Sequence, residues 1–287
     1  MAVYKRSYKG YAGPLTAPGA RLWVLPRYSY QRLFQSRFLV IFLALCLFFP
    51  VGCAVTIYVV NNLSFLEQFG MKPGGALKID GAFFRFYLAF QGTLCYLLTA
   101  LVGPSLVAPD LANGALPLYF CRPFTRTGYV AGKLSVLGVL LSAITWVPGL
   151  ILFVIQASVA GWSWAADHWW IATGLVTGSL VWILLLSLLA LAMSAWVKWR
   201  LAAGALILGI FFAGAGFGAA VNGVMRTDFG YRFDLARLMN IIWADLFRLE
   251  GDWGASSWDA WTTLIGVGAV CIWLLDKKIR AHEVVKG

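Results

Sequence analysis

Five long stretches of this chain carry no charge, and few folds other than a membrane-spanning one can accommodate them. They run from Arg37 to Glu67, Arg85 to Asp110, Lys133 to Asp167, His168 to Lys198 and Arg200 to Arg226. Each holds at least 24 uncharged residues. At 1.5 Å per residue, ~20 helical residues cross a hydrocarbon core of ~30 Å. A sixth stretch, Asp259 to Asp276, holds 16 residues, with Trp258 and Trp261 at its start as interfacial anchors. The charged fraction is 12%, about half that of an ordinary soluble domain. The expectation is an all-α integral membrane protein with six transmembrane helices. A cleaved signal peptide is not expected, because a 37-residue segment rich in polar and basic residues precedes the first long apolar run.

The positive charges set the expected orientation. Six crossings put both termini on one side. That side, with the loops after crossings two and four, carries 16 of the 23 Lys and Arg but only Asp110, Asp276 and Glu283 among the acids. The two sides then hold net charges of +13 and −2. Cytoplasmic segments collect Lys and Arg, so the N and C termini are expected in the cytoplasm, with the chain in the cytoplasmic (inner) membrane. The overall +11 is read as a topology signal, and no nucleic-acid partner is expected.

Residues 1–37 form a cytoplasmic segment. From Leu22 to Arg37, Trp23, Leu25, Tyr28, Leu33 and Phe34 mix with Arg27, Gln31, Arg32 and Gln35. That suits an amphipathic N-terminal interfacial helix started by Pro26; a plain basic anchor is the alternative. The six-helix domain covers 38–275. Its crossings are expected near 38–60, 85–107, 134–158 (kinked at Pro148), 169–195, 201–224 and between Asp259 and Asp276, with a cytoplasmic tail at 276–287. An outer helical loop, 225–257, lies between helices five and six. Within it, Leu235, Leu238, Met239, Ile242, Trp243, Leu246 and Phe247 recur at helical spacing. That helix either lies on the outer leaflet or covers the top of the bundle. Gly214 and Gly218 form a small-xxx-small pair, read as a dimer seam, a sliding surface or intramolecular packing.

Several chemistries are disfavoured. Residues 127–135, TGYVAGKLS, resemble a phosphate-binding loop, but Thr127 replaces the first Gly and Leu134 replaces the magnesium-binding hydroxyl. The five cysteines lie in expected helices or the cytoplasmic loop, which indicates no exported disulfide framework. His168 and His282 fall on opposite sides of the membrane, and no metal site is expected. No acidic or basic residue lies deep in an expected span, which argues against proton or sodium coupling through a midplane carboxylate.

The loop at 108–133 is too long for a tight connection. It contains Asp110, Gly114-Ala115-Leu116, Arg122-Pro123-Phe124-Thr125-Arg126 and Gly132-Lys133, with a short helix expected over Asp110–Tyr119. In these residues the chain resembles the permease subunits of ABC-2 type transporters. That family carries an acidic residue here, then a Gly-Thr-Leu-like triplet, an Arg-Pro-x-Ser/Thr-Arg turn and a closing Gly-Lys. Ala115 for Thr and Pro117 directly after the triplet depart from the pattern. The six-helix plan, the N-terminal amphipathic helix and the outer helical loop also look like this family, over about 20–287. The resemblance implies an exporter permease acting with a second permease subunit and a separate ABC ATPase, which would hold ATP and magnesium. This chain would itself be no enzyme and hold no cofactor. It assigns coupling to the ATPase to Asp110, Gly114, Leu116, Arg122, Pro123, Arg126, Gly132 and Lys133. Membrane lipid is the other expected partner of the three basic residues, since Arg binds carboxylate and phosphate alike; ordinary positive-inside anchoring also accounts for each.

Gln91, Tyr96, Thr99 and Asn222 are candidates for a substrate path, because polar groups in lipid face protein or a cavity. Interhelical hydrogen bonding is the simpler and favoured reading of them. Two other functions remain open. One is a lipid-modifying membrane enzyme using Asp228, Asp234, Asp245, Glu250 and Asp252, although these alternate with Arg226, Arg232, Arg237 and Arg248 as a paired, solvated face would. The other is a non-transporting scaffold subunit.

Overall fold

The computed structural model describes residues 18–62, 78–115, 125–197, 199–251 and 254–280, and no strand occurs among them. After α1 (Pro18–Phe34) come α2 (Arg37–Asn61), α3 (Gly81–Ala112), α4 (Arg126–Ile144), α5 (Trp146–Ala160), α6 (Trp162–Asp167), α7 (Trp169–Trp196) and α8 (Arg200–Met225). A 3-10 segment, Phe229–Phe233, then leads to α9 (Leu235–Leu246) and α10 (Ser257–Arg280). Counting α4 and α5 as one, six helices are long and apolar enough to cross a membrane: α2, α3, α4–α5, α7, α8 and α10. The chain is therefore all-helical and suited to multiple membrane passes.

α3 runs through the interior of the bundle, packed against α7. Phe84, Tyr87, Leu88, Gln91, Cys95, Leu98 and Thr99 are all fully buried. Small residues allow this. A Cβ at Gly92 would collide with the Trp243 ring, and one at Gly103 would lie 2.6 Å from Ala190 Cβ. α2 and α8 instead keep wide apolar faces outward, with Phe48 77% and Phe212 74% exposed, as lipid-facing helices do. The start of α3 precedes the expected 85 because Asp80 caps it, accepting from Ala82 N (2.9 Å) and Phe83 N (3.3 Å). Its end also moves. The helix continues through Pro109 to Ala112, so Asp110 sits in its last turn and does not begin a separate helix.

The third crossing breaks where a kink was expected. Pro148 has no N–H for the Ile144 carbonyl, and its ring crowds that oxygen. Thr145 leaves helical geometry at φ −105°, ψ −94°, separating α4 from α5. Gln91 Nε2 donates to Ile144 O at 2.7 Å, and Tyr87 Oη donates to Thr145 O at 2.8 Å. Pro26, by contrast, lies inside α1 and does not start it.

α9 is buried in the bundle and does not lie on a leaflet. Leu238, Met239, Ile242 and Phe247 are inaccessible, and Trp243 is nearly so. The Trp243 ring crosses Trp182 edge-on at 5.8 Å. Its Nε1 donates to Gly178 O at 3.2 Å, while Trp182 Nε1 donates to Gly92 O at 2.9 Å. The helical stripe was legible; what it faces is protein. The Gly214/Gly218 pair is likewise used within the chain. A Cβ at either would strike the backbone carbonyl of Phe233 or Gly230, so α8 seats the 3-10 segment there.

Candidate functional site: a polar junction between three helices

Two residues of the resemblance motif, Asp110 and Lys133, meet at one end of the bundle. Lys133 of α4 reaches back to Asp110 of α3, Nζ to Oδ2 at 2.9 Å, with side-chain exposures of 6% and 15%. Tyr129 Oη donates to the same carboxylate oxygen at 2.9 Å. Tyr129 and Lys133 are four apart on α4 and so share a face, and the ammonium stands 5.6 Å from the Tyr129 ring centre. A buried ammonium needs a partner anion. Asp110 supplies it, and the contact ties the two ends of the 111–132 segment together.

Other motif residues have backbone reasons. Gly114 adopts φ +62° just beyond α3, where its N–H donates to Leu111 O at 3.3 Å; a left-handed residue ends a helix this way, and glycine does so without strain. Thr125 is the N-cap of α4, its Oγ1 accepting from Gly128 N at 3.1 Å. The hydroxyl of the turn thus starts the next helix, a role the motif spelling did not reveal. Arg126 is the first residue of α4. Gly132 and Lys133 lie in helical backbone, so no loop is available there to wrap a phosphate. Leu116, Arg122 and Pro123 fall outside the described residues.

α1 closes the junction. Leu25 packs with Tyr129 and with Ile279 of α10. Tyr30 Oη donates to Val136 O at 3.0 Å and lies 3.3 Å from Ser135 O. Burial pushes the Tyr30 phenol up to about 12, so it remains a donor at neutral pH. A Cβ on Gly132 would make only ordinary contact with Leu25, at 3.5 Å. Tyr129, Tyr30 and Leu25 were absent from the expected site; the four-residue spacing of Tyr129 and Lys133 was the available signal.

The four polar candidates in the membrane each have an intramolecular partner. Gln91 Nε2 donates to Cys46 O at 3.0 Å as well as to Ile144 O. Cys46 and Ile144 are the residues four before Pro50 and Pro148, whose prolines leave those carbonyls without a helical donor. One amide group therefore serves both orphans and joins α2, α3 and α4. Tyr96 Oη donates to Leu208 O at 2.8 Å and Thr99 Oγ1 to Cys95 O at 2.7 Å. Asn222 Oδ1 accepts from Gly230 N at 2.6 Å. None of the four lines the lateral groove of about 570 Å³ that Phe42, Leu97 and Leu101 form with Arg200 and Leu201.

At the opposite end, Asp234 caps α9 through Arg237 N (3.0 Å), and Asp259 pairs with Arg232 at 2.8 Å. No group of His, Cys, Asp and Glu suited to a metal occurs among the described residues. No protein-family model matches this sequence, and no curated protein matches it.

Proposed function

We propose that this chain is the transmembrane permease subunit of an ATP-driven exporter of the ABC-2 type, paired with a second permease subunit and driven by a separate ABC ATPase. The Asp110–Lys133–Tyr129 junction carries the reading. A coupling segment works only if a push on it moves membrane helices, and this contact joins both ends of the segment to α3 and α4. α3 packs against α2, α7 and α8, so its displacement reaches all three. The charge asymmetry along the sequence supports cytoplasmic termini in the inner membrane, which puts the junction on the ATPase side. Hydrolysis of ATP with magnesium belongs to the partner. The lipid-enzyme alternative has less support, because Asp234, one of its candidate carboxylates, is engaged in capping α9.

The test is purification of the full chain from membranes in mild detergent. A stoichiometric P-loop ATPase is expected with it. In the assembled complex, Asp110→Asn is expected to preserve assembly while ATP hydrolysis loses its link to transport. Recovery of no ATPase from intact membranes would overturn the proposal, and coupled transport by Asp110→Asn would remove the junction from it.

A further inference from the structure

Beneath α1 the junction carries a half-open pocket of about 130 Å³ with a mixed lining. Arg32 and Ser29 face it from α1, Asp110 from α3 and Lys133 from α4, with Leu33 and Leu106 among its apolar lining. Among the described residues, its charged side chains sum to +1: two cations against one carboxylate. Asp110 accepts one N–H of the Lys133 ammonium, which carries three. Arg32 makes no ion pair among the described residues. That space is enough for a tetrahedral phosphate group. The cavity lies at the end of the α3 span, beside exposed Trp23, Tyr28 and Phe34 of α1, the depth at which lipid headgroups sit.

We infer that this cavity holds the phosphodiester of one anionic membrane phospholipid. The headgroup brings the site to neutrality. Arg32 and the free ammonium N–H groups of Lys133 donate to the phosphate oxygens, and the leucines meet the start of the acyl chains. Bound there, the lipid bridges α1 to α3 and α4. This site does not depend on the exporter reading, since it uses only contacts within this chain.

The experiment is native mass spectrometry of the full chain, delipidated in detergent and titrated with phosphatidylglycerol or phosphatidylcholine. The wild type is expected to take up one phosphatidylglycerol in preference to phosphatidylcholine. Arg32→Ala should weaken that first adduct about fivefold, and Arg32→Lys should largely restore it. Ser29→Phe fills the cavity without changing its charge and should remove the same adduct. Helicity measured by circular dichroism separates these effects from misfolding. Equal phosphatidylglycerol uptake by the wild type and Arg32→Ala would overturn the site, as would retention by Ser29→Phe. Displacement of the adduct by millimolar inorganic phosphate alone would identify a soluble-phosphate site and overturn the lipid assignment.

Discussion

Gln91 spans three helices because two prolines left carbonyls without donors, at Cys46 and Ile144. Replacing it with Leu should cost about 1–3 kcal/mol for each carbonyl left unpaired, read as a fall in melting temperature in detergent. Adding Pro148→Ala restores an N–H for Ile144 O. The double variant should then melt above Gln91→Leu alone. A double variant no more stable than the single one would mean that Gln91 acts otherwise. The ion pair behaves differently under substitution. Asp110→Asn leaves the buried Lys133 ammonium without its anion, a change that costs about 3–5 kcal/mol in buried pairs. Combining it with Lys133→Gln should recover much of that loss by thermal unfolding. The polar residues were visible in the sequence, but their partners were not. A glutamine in a helix looks the same whether it meets substrate or an orphaned carbonyl, and only the packing of α2 and α4 against α3 decides which.

α1 is held by Tyr30, and its docking should depend on pH. The phenol is raised from 10.0 unfolded to about 12 folded, by burial. A raised pKa means that the contribution to stability is complete below pH 10 and is lost as pH rises from 10 toward 12. Tyrosinate ultraviolet absorbance of the wild type should therefore contain one late-titrating phenol that Tyr30→Phe lacks. If the two titration curves coincide, Tyr30 is not buried in this way. α8 offers a second contrast. Gly218→Val would force apart α8 and the 3-10 segment and should destabilise the protein, whereas Gly216→Val meets open space and should be tolerated. Comparing the two melting curves separates packing from helix propensity. The glycine spacing was readable in the sequence. The identity of the neighbour was not, because a small-xxx-small pair admits any close backbone, from another chain or from its own.

For the molecule as a whole, if all six apolar helices cross, residues 35 and 250 are expected on opposite membrane faces. Single cysteines introduced at the exposed Gln35 and Glu250 should react with an impermeant thiol reagent from opposite sides of sealed vesicles. The four described native cysteines are buried, which limits background labelling. Labelling of both from one side would require an even number of crossings between them. Trp243→Ala tests the seating of α9, since removing a buried Trp costs about 3–5 kcal/mol and this one fills the crossing of α3 and α7.

Residue order alone decided the number of membrane-length apolar helices among the described residues, their approximate limits and the helical stripe of α9. Charge, hydropathy and periodicity are local properties, and lipid imposes its length requirement on each helix separately. Contacts between distant residues decided the rest. The break at Thr145, the burial of α9, the use of Gly214 and Gly218, and the meeting of Asp110 with Lys133 each depend on which helix stands beside which. Neighbours in a bundle are chosen by the joint fit of many surfaces, and no single segment of sequence contains that fit.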